Sequence, residues 1–103
     1  MPEVTANFGA QIEAMISLVE NMARALVDSP YEVSVKAAAE QDQTAILLTV
    51  AAADLGKVIG KQGRTARSMR TILGAASMKA HHRFSLDIQE IKITQTPATL
   101  PVD

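Results

Sequence analysis

The spacing of the apolar residues changes along this chain from a helical period to a strand period and back, and this order limits the possible folds more than any other feature. The first stripe recurs every three or four residues, which is typical of an amphipathic helix that packs against a core. Its members are Ile12, Met15, Ile16, Val19, Met22, Ala23, Leu26 and Val27. The segment Asp28-Ser29-Pro30 ends this helix, because proline lacks a backbone donor and disfavours helix in the residue before it. Residues 1–11 carry little periodicity, and we predict a loose lead-in there.

Three stretches predict β-strands. Residues 33–37 alternate between polar and apolar, and residues 44–50 are mostly β-branched or apolar. The polar turn at residues 41–43 joins these two stretches into a hairpin. Residues 84–88 alternate again, and we expect this third strand to continue through Ile91 and Ile93.

Two helices separate the second and third strands. Residues 51–59 predict a short helix, residues 60–63 a tight loop and residues 65–80 a second helix. The residues expected on the inward face of the second helix are Ala66, Met69, Leu73, Ala76 and Ala80. Gly74 also lies in this helix, where a close approach to a strand or a partner helix would explain a residue that lacks a side chain.

This order of elements predicts an α+β fold. Two helices provide more than the roughly dozen residues that a parallel crossover needs. We therefore expect a small three-stranded mixed sheet with the helices packed on one face. The domain is assigned to residues 12–93, and residues 94–103, which include Pro97 and Pro101, are expected to form a flexible tail.

Composition narrows the class of protein. A chain of 103 residues fits one small domain, since domains typically run to about 100–150 residues. The absence of cysteine excludes disulfide scaffolds, cysteine-based zinc sites, iron-sulfur clusters and thiol catalysis. The start of the chain, Met1-Pro2-Glu3, does not resemble a signal peptide, and no apolar run approaches the roughly 20 residues of a membrane span. We expect a cytoplasmic protein.

The charge is distributed unevenly, although the net charge is only -1. No Asp or Glu occurs from Leu55 to Leu86. That stretch holds seven of the ten cations, which are Lys57, Lys61, Arg64, Arg67, Arg70, Lys79 and Arg83. Such an asymmetry is typical of a protein that presents one face to an anion, but a solvated basic helix would show the same charge run.

The stretch Gly56-Lys57-Val58-Ile59-Gly60-Lys61-Gln62-Gly63-Arg64 is the most informative motif. Gly60 and Gly63 can adopt positive φ and let the backbone approach a phosphodiester chain. Lys61, Arg64 and the amides at the start of the next helix supply positive charge beside them. The apolar residues 58–59 and the second strand are expected to form the wall of a shallow groove. A G-x-x-G sequence by itself is often an ordinary turn, so its context decides its meaning.

That context resembles a K-homology (KH) RNA-binding domain, whose G-x-x-G loop clamps backbone nucleotides. The αββααβ order is similar to the type II, bacterial form of this domain. Three segments resemble the KhpA family of small single-KH proteins, and the likeness runs from Ile16 to Glu90. They are Ala25-Leu26-Val27-Asp28-Ser29-Pro30, Leu55-Gly56-Lys57-Val58-Ile59-Gly60-Lys61-Gln62-Gly63-Arg64 and Arg67-Ser68-Met69-Arg70-Thr71-Ile72. The leading residues and the proline-bearing tail depart from the usual compact family form.

The resemblance implies a cytoplasmic, non-catalytic protein that clamps single-stranded RNA. It further implies an RNA chaperone or post-transcriptional regulator linked to cell elongation and division. The expected partners are a second copy of the chain or a larger KH-containing protein of the KhpB (Jag) type. The clamp would consist of Gly60, Lys61, Gln62 and Gly63, with Ile59 and Arg64 as flanking contacts. Arg67 and Arg70 would either track phosphates or form a solvated face.

Other classes fit the sequence less well. A P-loop needs four residues between its glycines and Ser or Thr after the lysine, whereas three residues separate Gly56 from Gly60 and Gln62 follows Lys61. The pair His81-His82 has no spaced ligand beside it in the acid-free stretch, so we expect no metal or other cofactor. Asp54 and Asp87 are isolated acids, and no catalytic constellation emerges. The alternative that stays open is a KH-shaped protein-interaction module with weak or no RNA binding of its own.

Overall fold

The fold is described here from a computed structural model, which covers residues 2–91 and, for side chains, residues 9–91. Three helices and three strands follow one another along this part of the chain. They are α1 (Pro2–Leu26), β1 (Ser34–Ala39), β2 (Gln43–Val50), α2 (Leu55–Ile59), α3 (Arg64–Ala80) and β3 (Arg83–Glu90). This order confirms the predicted α+β, αββααβ arrangement. No helix of the described part is both long enough and apolar enough to cross a membrane.

Helix α1 begins at Pro2, so residues 2–11 are helical where the sequence predicted a loose lead-in. Proline is well tolerated at the first position of a helix because the amide there has no intrahelical partner. The sequence of residues 2–11 has no apolar stripe, and a stripe is the signal by which a helix is recognised from sequence. The bounds assigned to the domain stay a prediction, and Ile93 and the tail lie outside the described residues.

The sheet has the order β1-β2-β3 and is mixed. Strands β1 and β2 are antiparallel, with Val35 opposite Leu48, as expected for a hairpin. Strands β2 and β3 are parallel, with Ile46 opposite Leu86. Helices α2 and α3 form the crossover between the parallel strands, which leaves β2 in the centre and β3 at the edge.

The core lies between one face of the sheet and helices α1 and α3. Every second residue of β2, beginning with Thr44, is buried. The other buried apolar side chains include Val19, Ala23, Ala66, Met69, Leu73, Val58, Phe84 and Leu86. The inward face predicted for α3 is confirmed over its first half, whereas Ala76 and Ala80 are only half-buried. A Cβ on Gly74 would meet nothing within 4 Å, so no close approach among the described residues explains this glycine.

Candidate nucleic-acid interface

The loop between α2 and α3 turns through a series of left-handed residues. Gly60 has φ +82°, Gln62 has φ +57° and Gly63 has φ +74°. The Gly60 amide donates to the Gly56 carbonyl oxygen at 2.8 Å, which closes α2, and the Gly63 amide donates to the Gly60 carbonyl oxygen at 3.0 Å. The tight loop predicted at residues 60–63 is therefore present, and positive φ explains glycine at both of its ends.

The two glycines differ in their surroundings. A Cβ on Gly60 would overlap the side chain of Thr65 and lie 2.8 Å from the Thr65 backbone nitrogen. A Cβ on Gly63 would meet nothing within 4 Å. Gly60 is thus required by both space and backbone conformation, and Gly63 by conformation alone.

The polar side chains of the loop point to solvent. Lys61, Gln62, Arg64 and Arg67 are all exposed. None of these four side chains forms a hydrogen bond or ion pair with another residue of the described 9–91 segment. The first turn of α3 has no side-chain cap, so its amides add to the positive potential. The loop and the start of α3 therefore form a cationic surface without internal counter-ions.

Val58 and Ile59, the apolar pair before the loop, lie in different environments. Val58 is fully buried in the core, whereas Ile59 is half-buried beside Gly60. The prediction that both side chains form a groove wall with the second strand is therefore wrong for Val58. The strand packed against α3 is the edge strand β3 rather than the second strand named in that prediction.

A cavity of about 270 Å³ lies between α3 and the edge strand β3. Its lining comprises Arg70, Leu73, Phe84, Ser85 and Leu86. Sequence reasoning missed this groove because the position of β3 at the edge next to α3 depends on the sheet order rather than on any local pattern. Ile59, the loop and this cavity lie on the α2, α3 and β3 side of the molecule.

The Arg70 guanidinium forms hydrogen bonds to the edge strand β3. Its Nε and Nη2 atoms donate to the Leu86 carbonyl oxygen at 3.2 and 3.0 Å. Arg70 is nevertheless exposed, as the solvated face considered from the sequence requires, and phosphate tracking by Arg70 stays a prediction. Within residues 9–91 the Arg67 side chain has no such partner and stays available to a ligand.

Asp54 fixes the position of α2 and therefore of the loop. Its side chain is 2% exposed, and its two carboxylate oxygens accept hydrogen bonds from the amides of Asp28 and Ser29 at 3.1 and 3.0 Å. Lys57 Nζ lies 3.4 Å from the Asp28 carboxylate and 3.9 Å from that of Asp54. The sequence indicated an isolated acid; these partners lie 25 and 26 residues away, which no spacing rule reveals.

The histidine pair lies at the other end of α3. His81 adopts φ +53°, and the His82 ring shares a hydrogen bond of 2.7 Å with the Thr44 hydroxyl. Within residues 9–91 no group of three or more His, Cys, Asp or Glu side chains is placed to hold a metal ion.

Comparison with known proteins identifies the domain. The family model described as KhpA/KhpB, KH domain matches residues 16–88. The RNA-binding protein KhpA of Halalkalibacterium halodurans is 47% identical over 74 residues, which cover 72% of this chain and 97% of that protein. The protein of the same name from Clostridium acetobutylicum is 43% identical over 74 residues, covering 72% and 99%. That of Aquifex aeolicus is 44% identical over 79 residues, covering 77% and 100%. The resemblance drawn from the sequence is confirmed, and the chain belongs to the KhpA/KhpB family of KH-domain proteins.

Proposed function

We propose that this chain binds single-stranded RNA at the loop between α2 and α3. The observation that carries the proposal is the cluster of the exposed cations Lys61, Arg64 and Arg67 at the loop and the start of α3. Arg24 pairs with Glu20 at 3.6 Å, Lys57 pairs with Asp28, and Arg70 is bound to a backbone carbonyl oxygen. The cations of the loop and the first turns of α3 have no protein partner within the described residues, so a phosphodiester chain is the natural counter-ion.

The proposed contact residues are Ile59, Gly60, Lys61, Gln62, Gly63, Arg64 and Arg67. The two glycines allow the backbone to approach the phosphates closely, and the exposed α3 amides favour an anion there. Lys61, Arg64 and Arg67 neutralise phosphate charge. Ile59 offers apolar surface to a base, and Leu73 and Leu86 line a further cavity between α3 and β3.

The matched relatives carry the name RNA-binding protein, which supports a binding rather than a catalytic role. We further propose that this chain is a cytoplasmic RNA chaperone or post-transcriptional regulator linked to cell elongation and division. One KH domain contacts about four nucleotides, so a second copy or a larger KhpB (Jag)-type partner would raise affinity through effective concentration.

A KH-shaped protein-interaction module is the second candidate. Leu26 and Ile72 are 40% and 45% exposed, and such apolar side chains are suited to a protein interface. Such exposed side chains are compatible with a dimer that also binds RNA, so RNA affinity at the loop separates the two candidates.

The test compares the full chain with a double variant, Lys61→Asp with Gln62→Asp, by fluorescence anisotropy on mixed-sequence single-stranded RNA. The matched control is Lys36→Asp with Gln41→Asp. It makes the same change in charge at exposed positions of the β1–β2 hairpin. Circular dichroism and size-exclusion chromatography check folding and oligomeric state. We expect loss of binding in the loop variant alone. Equal binding by both variants, or no binding by the wild type, would contradict the proposal and favour the interaction module.

A further inference from the structure

A second cavity lies at the C-terminal end of α3, away from the loop. Its volume is about 650 Å³, within the range of about 300–1,000 Å³ that small-molecule pockets occupy. It is bordered by the hairpin turn, by the last turn of α3 and by the start of β3. The side chains that matter for its chemistry are Asp42, Met78, His81, His82 and Arg83.

One wall of this cavity is held in place by contacts within the protein. His82 shares its hydrogen bond with buried Thr44, and its ring lies edge-on to Phe84 with the ring centroids 5.1 Å apart. Ser77 Oγ accepts from the Phe84 amide and donates to the Leu73 carbonyl oxygen, each at 2.9 Å. Because these groups are already satisfied, the wall is formed before any ligand arrives.

Unlike these wall residues, Asp42 and Arg83 have side chains without a partner among residues 9–91. Both side chains are exposed and line the cavity, yet they form no ion pair with each other. Neither has a hydrogen-bond partner within residues 9–91. The cavity therefore presents an unused carboxylate and an unused guanidinium fork. Met78, which is 79% exposed, adds a polarizable apolar surface beside them.

We propose that this cavity binds a guanine base of the RNA strand, an inference that rests on the proposed RNA binding at the loop. A guanidinium donates two parallel hydrogen bonds to guanine O6 and N7, and adenine places a donor where guanine has O6. A carboxylate accepts hydrogen bonds, and guanine also carries donors at N1 and at its exocyclic amine. The His81 and His82 imidazoles and the Met78 thioether supply surface against which a base can lie.

The cavity lies far enough from the G-x-x-G loop that a guanine bound there would make a contact in addition to those at the loop. Helix α3 has 17 residues and so places the cavity about 25 Å from the loop. The cavity beside Leu73 lies between them, since Leu73 and Ser77 are one turn apart on α3 and Arg83 precedes Phe84 on β3. An RNA strand that runs from the loop along α3 and β3 would reach the guanine site only if it is longer than the roughly four nucleotides held by a KH clamp.

The test measures affinities of the full chain for heptauridine and for two heptanucleotides that carry a single guanine at one end or the other. We expect one guanine-ended strand to bind at least five-fold more tightly, because a bidentate base contact gives about 5- to 150-fold discrimination. Arg83→Lys, which keeps the charge but removes the fork, and Asp42→Asn should each abolish this preference. The milder loop variant Lys61→Ala should weaken the binding of all three strands by the same factor and leave the ratio of their affinities unchanged.

A second measurement separates failure of this inference from failure of the proposed function. Guanosine monophosphate and cytidine monophosphate are titrated into the labelled protein while backbone amide NMR signals are followed. We expect guanosine monophosphate alone to shift the signals of residues 77–83, even if no RNA strand binds. Equal affinities for all three strands, a preference that survives both cavity variants, or shifts absent from residues 77–83 would overturn the guanine site.

Discussion

Thr65 lies so close to Gly60 that a Cβ on Gly60 would be 2.6 Å from the Thr65 Cβ and 2.8 Å from its backbone nitrogen. The end of α2 and the first turn of α3 meet at this point, and only the absence of a side chain allows it. The G-x-x-G loop therefore depends on its first glycine for its shape, while its second glycine faces open space.

This difference predicts unequal effects of alanine at the two positions. Gly63→Ala should lower the free energy of unfolding by about 1–2 kcal/mol, the cost of left-handed backbone for a residue with a Cβ. Gly60→Ala should cost more, because the loop must also move away from Thr65, and it should reduce RNA affinity. Urea unfolding and anisotropy measure both effects. Equal losses of stability would contradict the close approach of Gly60 to Thr65.

The buried carboxylate of Asp54 should be a larger determinant of stability than the exposed one of Asp28. Asp54→Ala leaves the Asp28 and Ser29 amides without their acceptor, which costs about 1–3 kcal/mol for each group that water cannot reach. Asp28→Ala removes only a surface ion pair with Lys57, worth about 0–1 kcal/mol. Chemical denaturation of both variants checks the order, and a similar loss in each would argue against the anchoring role of Asp54.

Substitution of Arg67 and substitution of Arg70 should affect stability and RNA affinity differently, although the two residues lie three positions apart on α3. Arg70→Ala removes hydrogen bonds to the Leu86 carbonyl oxygen and should destabilise the fold by about 1 kcal/mol. Arg67→Ala should change stability by less than about 0.5 kcal/mol but lower RNA affinity. Thermal unfolding and RNA binding are measured on both variants. The account would be wrong if Arg67→Ala left affinity unchanged while Arg70→Ala left stability unchanged.

Gly74→Ala should stabilise the protein. Glycine inside a helix costs about 1 kcal/mol relative to alanine, and the added methyl group would meet nothing within 4 Å. We expect an increase of about that size in the free energy of unfolding of the dilute protein. A decrease, together with a change in oligomeric state, would show that a second molecule packs against this point of α3.

Local patterns predicted most of the fold because the relevant signals are local. The alternation of residues 84–88 and the glycine spacing at 60 and 63 led to the strand and the loop that the structure contains. Contacts between distant residues were not predictable. The partner of Arg70 depends on β3 lying at the sheet edge, and the contact between Thr44 and His82 joins residues 38 positions apart. The first ten residues of α1 were missed because their sequence shows no apolar period.

The salt dependence of RNA binding tests the central claim most directly. Three phosphate contacts, from Lys61, Arg64 and Arg67, predict a slope of about -2 for log K against log salt, since each contact on a single strand contributes about 0.7. Lys61→Ala should reduce the slope to about -1.4 while the protein stays folded. A slope near zero for the wild type, or one that Lys61→Ala does not change, would contradict phosphate binding at this loop.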